Sequence, residues 1–105
     1  SKAALFRLTD SLAVMTKPYG ISVFAISPGR VHTAMTDNVP VFKDAPASRW
    51  TPVERAGELC VRLATGQADA LSGRFLRVRD DLDDLIQRAE EITQKDLYAL
   101  RLRIA

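Results

Sequence analysis

The stretch Ile21-Ser22-Val23-Phe24-Ala25-Ile26-Ser27-Pro28-Gly29-Arg30-Val31-His32-Thr33 decides the fold of this chain. Its first six residues are nearly all apolar and half β-branched. That pattern predicts a strand over residues 21–26, buried on both faces as in a parallel sheet. Ser27-Pro28-Gly29 then forms a turn. Proline fixes the backbone, and glycine permits close backbone approach. In open α/β sheets ligands bind outside the carboxyl ends of the strands, so this turn is where a bound molecule is expected. Thr33 adds a hydroxyl there.

Working outward, residues 1–16 hold no Pro or Gly, and Leu5, Leu8, Leu12 and Met15 share one helical face. Ala3, Phe6 and Ala13 add apolar surface elsewhere, which predicts a helix covered on more than one side. Lys17-Pro18-Tyr19-Gly20 ends it. Downstream, residues 34–50 show no stable period and contain Pro40, Pro46, Asp37 and Asn38, which predicts a long functional loop. Thr51-Pro52-Val53-Glu54 predicts a helix start with Thr51 as cap and Pro52 in the first turn. Its buried stripe is expected at Val53, Ala56, Cys60, Leu63 and Ala64. Leu71-Ser72-Gly73 is a turn, and residues 74–79 read as a second strand. The partial polarity of that strand suggests a sheet edge or a subunit boundary. Asp80 or Asp81 caps a further helix with the stripe Leu82, Leu85, Ile86, Ala89 and Ile92. Thr93-x-x-Asp96 predicts a fresh helical phase through Leu97, Leu100 and Ile104.

The element order is helix, strand, loop, helix, strand, helix. Residues 21–79 form a βαβ crossover, so the class is α/β with a parallel sheet. Two strands do not make a stable sheet alone, and the first of them calls for neighbours. The chain therefore reads as part of a longer protein.

Composition narrows the function. With 105 residues, 47% hydrophobic and 27% charged, the chain suits at most one globular domain. Fifteen Lys and Arg against thirteen Asp and Glu give a net charge of +2. No basic stripe with interleaved aromatics exists, which speaks against nucleic acid as a partner. The single cysteine, Cys60, forms no internal disulfide and fits a reducing cytoplasm. No apolar run approaches the roughly 18 residues of a membrane span, and no signal-peptide pattern opens the chain.

Two patterns about thirty residues apart then become specific. Ser1-Lys2-Ala3-Ala4-Leu5 resembles the end of the Tyr-x-x-Ser-Lys segment of the short-chain dehydrogenase/reductase family. Pro28-Gly29-x-Val31-x-Thr33 resembles that family's segment after its sixth strand. Tyr19-Gly20-Ile21-x-Val23 and Leu71-Ser72-Gly73-Arg74 match as well. The resemblance covers roughly residues 1–79. It implies the C-terminal portion of a doubly wound, Rossmann-type parallel sheet. It also implies an oxidoreductase that moves hydride between NAD or NADP and a small alcohol or carbonyl substrate. By the same resemblance, Lys2 would hydrogen-bond the nicotinamide ribose and lower the pKa of a catalytic tyrosine. Val31 would hold the carboxamide through its backbone, Thr33 the carboxamide or the diphosphate, and Pro28 and Gly29 would wall the ring. Residues 1–33 would then be the catalytic helix and cofactor-binding strand and turn, and residues 34–50 a substrate lid with Met35, Val39 and Phe42 over the substrate. Residues 51–79 would be a helix and the last strand, and residues 80–105 a helical tail. Homo-oligomers would form through the helix at 1–16 and the strand at 74–79.

The family's tyrosine belongs three residues before Ser1, and its catalytic serine and Gly-rich turn lie further upstream. The chain by itself is therefore expected to be inactive. Plainer readings stand beside these. A lysine such as Lys2 is ordinarily a surface residue and Pro-Gly ordinarily only a turn. His32 falls on a variable position of the motif, Cys60 is expected in the core, and Arg30 in solvent. The aspartates at 80–84 are read as a helix cap with a solvated face. Two other functions remain open: a subunit-assembly module and a catalytically inactive nucleotide-binding relative.

Overall fold

The computed structural model describes residues 2–31 and 50–104. The chain runs through α1 (Lys2–Thr16), a 3-10 turn (Lys17–Tyr19), β1 (Ala25–Ser27) and α2 (Val53–Ala64). A second 3-10 turn (Asp69–Leu71), β2 (Phe75–Arg77), α3 (Leu82–Gln87) and α4 (Ala89–Gln94) follow. The fold is α/β, and β1 pairs with β2 in parallel, with Ala25, Ile26 and Ser27 opposite Phe75, Leu76 and Arg77. With α2 between them, the two strands make the expected βαβ unit.

Both strands are shorter than the sequence pattern suggested. Val23 lies ahead of the ladder: its N–H donates to Ser72 Oγ at 2.9 Å, and its carbonyl accepts the Gly73 N–H at 2.6 Å. Burial on both faces does not hold either. Ala25 is the one buried residue of 21–26, and Ile21 is 54% exposed. Among the described residues the sheet has two strands, so the far edge of β1 has no strand beside it.

Side chains alternate across a strand, which puts Ala25, Ser27, Phe75 and Arg77 on one face and Ile26 and Leu76 on the other. Helix α1 covers the first face. The Phe6 and Phe75 rings lie 4.6 Å apart, and a Cβ built on Gly73 would stand 3.1 Å from the Ala13 Cβ. The face of α1 that the fold buries is therefore the small one, Thr9 and Ala13. The expected cover over its leucines is absent among the described residues: Leu5, Leu8, Leu12 and Met15 stay exposed. The sheet offers Gly73 and Ala25 to the helix, and such small surfaces accept a small face at close range.

The second face carries the core, built from Leu59, Ala68, Leu71, Leu76, Val78, Leu82, Leu85 and Ile92. On α2 the buried seam is Ala56, Leu59 and Leu63, an i, i+3, i+7 row. Val53, Cys60 and Ala64, expected inside, are exposed. The N-cap is Pro52 rather than Thr51, and no side chain caps the helix. The single helix expected here is divided at Arg88 (φ −96°, ψ 14°) into α3 and α4, while its stripe is found and Asp81 caps α3 by accepting the Asp84 N–H at 3.3 Å.

The C-terminal tail departs from the expected helix. Helix α4 ends at Gln94 in a Schellman-type cap. Leu97 N–H reaches the Ile92 carbonyl at 2.9 Å, and Asp96 N–H reaches the Thr93 carbonyl at 3.3 Å. Asp96 occupies the left-handed position (φ 54°), one that no α-helix can continue through. Its carboxylate is held by Arg74 at 2.8 Å and Arg101 at 2.9 Å. Beyond it the Tyr98 carbonyl accepts the Phe75 N–H at 2.8 Å, so the tail covers the outer edge of β2. Arg101 continues to Asp10 on α1 at 3.2 Å.

Candidate functional site

The contacts of α1 fix its direction. Ala13 meets Gly73 at the start of β2, and Phe6 meets Phe75 further along. The helix therefore runs against the strands, and its N-terminal turn with Lys2 heads for their carboxyl ends. From Phe6 back to Lys2 is about 6 Å of helix rise, and from Phe75 on to Arg77 about 7 Å of strand. Lys2 is exposed. The N-terminal turn of α1 is thus directed toward the end of the sheet at which Ser27-Pro28-Gly29 turns.

That turn is fastened from below. Gly29 sits at φ 77°, in the left-handed region, and a Cβ on it would stand 2.6 Å from Thr51 Oγ1. The Thr51 N–H donates to the Arg30 carbonyl at 2.7 Å. Here the sequence reading missed a role. Thr51 stands as the first residue before the Pro52 cap, and its hydroxyl fills the space that the glycine leaves. The close approach that Gly29 permits is taken by Thr51. Spacing alone gives no signal for this pairing of residues 22 positions apart.

A cleft of about 330 Å³ opens at this end of the ladder, lined by Ser27, Gly29, Arg30, Thr51, Arg77, Val78 and Arg79. Arg77 is claimed by Asp80, through Nη2 at 2.7 Å and Nε at 3.1 Å, and Asp80 also accepts the Arg77 N–H at 2.9 Å. The hydrogen bond and charge of Asp80 push the Arg77 guanidinium further up from an already high value. So of the two aspartates considered as caps, Asp80 serves the arginine and Asp81 the helix. The Arg30 guanidinium lies 6.0 Å from the centre of the Trp50 ring, a cation–π distance, and is half-buried rather than fully in solvent. Arg55 donates from Nη2 to the Val78 carbonyl at 2.9 Å.

Pro28, Gly29 and Val31 thus stand at the carboxyl end of β1, Pro28 and Gly29 exposed and Val31 half-buried. Ser1, His32, Thr33, Met35, Val39 and Phe42, and with them residues 34–49 of the expected lid, lie outside the described residues. Cys60 is on the exposed side of α2, away from this cleft's lining. Among the described residues no group of His, Cys, Asp or Glu has the arrangement of a metal site. No helix of the described residues is long and apolar enough to cross a membrane.

Comparison with known proteins gives the site its context. The family model described as Enoyl-(Acyl carrier protein) reductase matches residues 1–80. The short chain dehydrogenase mpl6 of Monascus purpureus is 34% identical over 101 residues, which are 96% of this chain and 34% of that protein. The short chain dehydrogenase andI of Emericella variicolor is 31% identical over 109 aligned residues, 99% of this chain and 35% of its own length. The 2-dehydro-3-deoxy-D-gluconate 5-dehydrogenase of Bacillus subtilis is 36% identical over 86 residues, 74% of this chain and 34% of that enzyme. No solved structure gives a significant match. The chain spans about a third of the length of the curated relatives it matches. The family match spans α1, both strands and the turn between Ser27 and Val31, and the chain belongs to the short-chain dehydrogenase/reductase family of oxidoreductases.

Proposed function

We propose that this chain supplies one wall of the active site of an NAD- or NADP-dependent oxidoreductase acting on a small alcohol or carbonyl compound. The observation that supports the reading is the direction of α1, which runs against the strands so that its N-terminal turn with Lys2 heads for the end of the ladder where the Pro28–Gly29 turn stands. The fit to a nicotinamide nucleotide rests on the shape there: an exposed turn, a half-buried Val31 and a cleft large enough for one end of such a molecule. The nicotinamide supplies the hydride donor or acceptor. Lys2 offers three N–H donors on a compact charge, suited to ribose hydroxyls and to a phenolate beside them. Val31 offers its backbone to the carboxamide, Thr33 a hydroxyl, and Pro28 and Gly29 a rigid wall. Met35, Val39 and Phe42 would close over the substrate. Because the chain spans about a third of the length of its curated relatives, it is proposed to need the rest of the protein for activity.

A cytoplasmic setting agrees with the single cysteine. Homo-oligomers would use α1, whose Leu5, Leu8, Leu12 and Met15 are exposed together. The strand at 74–79 is a weaker candidate, since the tail already occupies its edge at Phe75. The test is Lys2→Ala in the full-length protein that carries this chain. A positioned proton-transfer partner is worth about 10²- to 10⁴-fold in rate, so turnover should fall on that order, with partial recovery in Lys2→Arg. Unchanged turnover would remove Lys2 from the reaction, whereas NAD(H) binding without turnover by the unsubstituted protein would favour a nucleotide-binding protein without catalysis.

A further inference from the structure

We propose that the C-terminal tail is a strap that sets the orientation of α1, with Arg101 and Arg7 as positioning residues for Lys2. This rests on the oxidoreductase reading, which gives Lys2 its contact with the cofactor. Packing alone holds α1 lightly. Among the described residues, Thr9 and Ala13 are the buried ones of this 15-residue helix, and Phe6 meets Phe75 at 4.6 Å. Thr9 and Ala13 lie four positions apart and so form one narrow row, about which a helix can still rock. Polar contacts from the tail supply what packing leaves out. Arg7 Nη1 donates to the Leu100 carbonyl at 3.1 Å and to Asp10 Oδ2 at 3.0 Å. Arg101 Nη2 donates to Asp10 Oδ1 at 3.2 Å. Each Asp10 oxygen thus has its own arginine, one from α1 itself and one from the tail.

The other end of the strap is fastened to β2. Arg101 grips Asp96 in a fork, Nε to Oδ2 at 2.9 Å and Nη2 to Oδ1 at 3.0 Å. Arg74, just ahead of β2, donates to Asp96 Oδ1 at 2.8 Å and to the Leu97 carbonyl at 3.0 Å. The Tyr98 carbonyl accepts the Phe75 N–H at 2.8 Å. The contacts therefore run unbroken from β2 through the tail to α1. The path of the tail is imposed by them. Asp96 and Tyr98 hold φ at 54° and 56°, a region that residues with a side chain keep only where neighbouring contacts outweigh the strain. Lys2 stands five residues before Arg7, about 7.5 Å of helix rise. A helix is stiff over that length, so the tilt and roll fixed at Arg7 and Asp10 pass to its first turn. The strap thereby sets where the Lys2 ammonium stands at the carboxyl end of the ladder, without touching a cofactor itself.

The full-length protein that carries this chain is tested in two ways. Hydrogen exchange read by mass spectrometry follows the amides of residues 6–10, which bond back to the first turns of α1. Arg101→Gln is expected to speed their exchange about 3- to 10-fold, the loss of two partly exposed ion pairs. NADH and NADPH are then titrated by their nicotinamide fluorescence. Arg101→Gln is expected to weaken the tighter of the two about 3- to 10-fold, and to have no effect on affinity in a Lys2→Ala background, because the strap acts through Lys2. Arg101→Lys keeps the charge but loses the fork, and should recover part of both effects. Arg7→Gln should act in the same direction and takes the place of Arg101→Gln if urea denaturation shows that variant unfolded. Unchanged exchange at residues 6–10 would overturn the strap. Equal weakening of nucleotide binding with and without Lys2 would overturn its action on Lys2 and reduce the tail to a structural support. No binding of either nucleotide by the unsubstituted protein would overturn the oxidoreductase reading, and with it the task of Lys2, while the exchange rates still decide whether the tail holds α1.

Discussion

Replacing Gly29 by alanine tests the turn where the two halves of the site meet. Two penalties add. The residue holds φ at 77°, and an L side chain in that region costs about 1–2 kcal/mol. The new methyl would also stand 2.6 Å from Thr51 Oγ1 and 3.1 Å from Thr51 Cβ. Thr51 is stiff, being β-branched, and its N–H is tied to the Arg30 carbonyl at 2.7 Å, so it yields little. Overpacking of this kind costs about 1–3 kcal/mol. Gly29→Ala should therefore destabilise the full-length protein by about 2–5 kcal/mol in equilibrium urea denaturation. The contact with Thr51 is checked by a double-mutant cycle with Thr51→Ala, which removes Oγ1 and Cγ2. In that background Gly29→Ala should cost only about 1–2 kcal/mol, leaving a coupling of about 1–3 kcal/mol between the sites. A Gly29→Ala penalty below about 0.5 kcal/mol, or the same penalty in both backgrounds, would show that Thr51 does not pack under this turn.

Three other outcomes follow from the packing. Leu76, 1% exposed on β2, sits in the centre of the core, and Leu76→Ala should cost about 2–5 kcal/mol by the same denaturation assay; a loss under about 1 kcal/mol would contradict the core described here. The Arg74 hydrogen bond, with the charges of Arg101 and Arg74, holds the Asp96 carboxyl below its ordinary 3.8. A depressed carboxylate stabilises the fold above its unfolded value and loses that contribution as pH falls through the native one. The stability gap between wild type and Asp96→Asn should therefore be full near about pH 7 and close as pH drops below about 4, and a gap unchanged with pH would refute the anchor. Leu8, 54% exposed beside Leu5 and Leu12, should matter to assembly rather than to folding: Leu8→Asp is expected to shift the full-length protein to a smaller species in size-exclusion chromatography, and an unchanged elution volume would sink α1 as an interface.

Much of this architecture was legible in the sequence because it depends on neighbours along the chain. The Pro18–Gly20 stop, the apolar run into β1, the Ser27–Gly29 turn and the stripe of α3 and α4 are local patterns, and local patterns set secondary structure. The sequence also supplied the parallel pairing, since a strand, a helix and a second strand joined this way leave little choice of topology. The family resemblance rested on the same local motifs and agrees with the match over residues 1–80.

Where the reading went astray, distant residues decided. The leucines of α1 form the larger apolar face, yet the sheet takes Thr9 and Ala13, because Gly73 and Ala25 leave room only for small groups. Thr51 has every local mark of a helix cap and instead fills the space under Gly29. Thr93-x-x-Asp96 spells a helix start, but Arg74 and Arg101 pair with Asp96 across 22 and 5 residues and hold it in a helix-ending conformation. In each case the sequence determined what a segment tends to form, through short-range sterics and hydrogen bonding. The tertiary structure decided which face is buried and which polar group is matched, because shape and charge complementarity exist only once separate segments are brought together. The arginine-lined cleft belongs to this second kind: Arg30 and Arg79 are 49 positions apart in the chain, and only the pairing of β1 with β2 sets them on one wall.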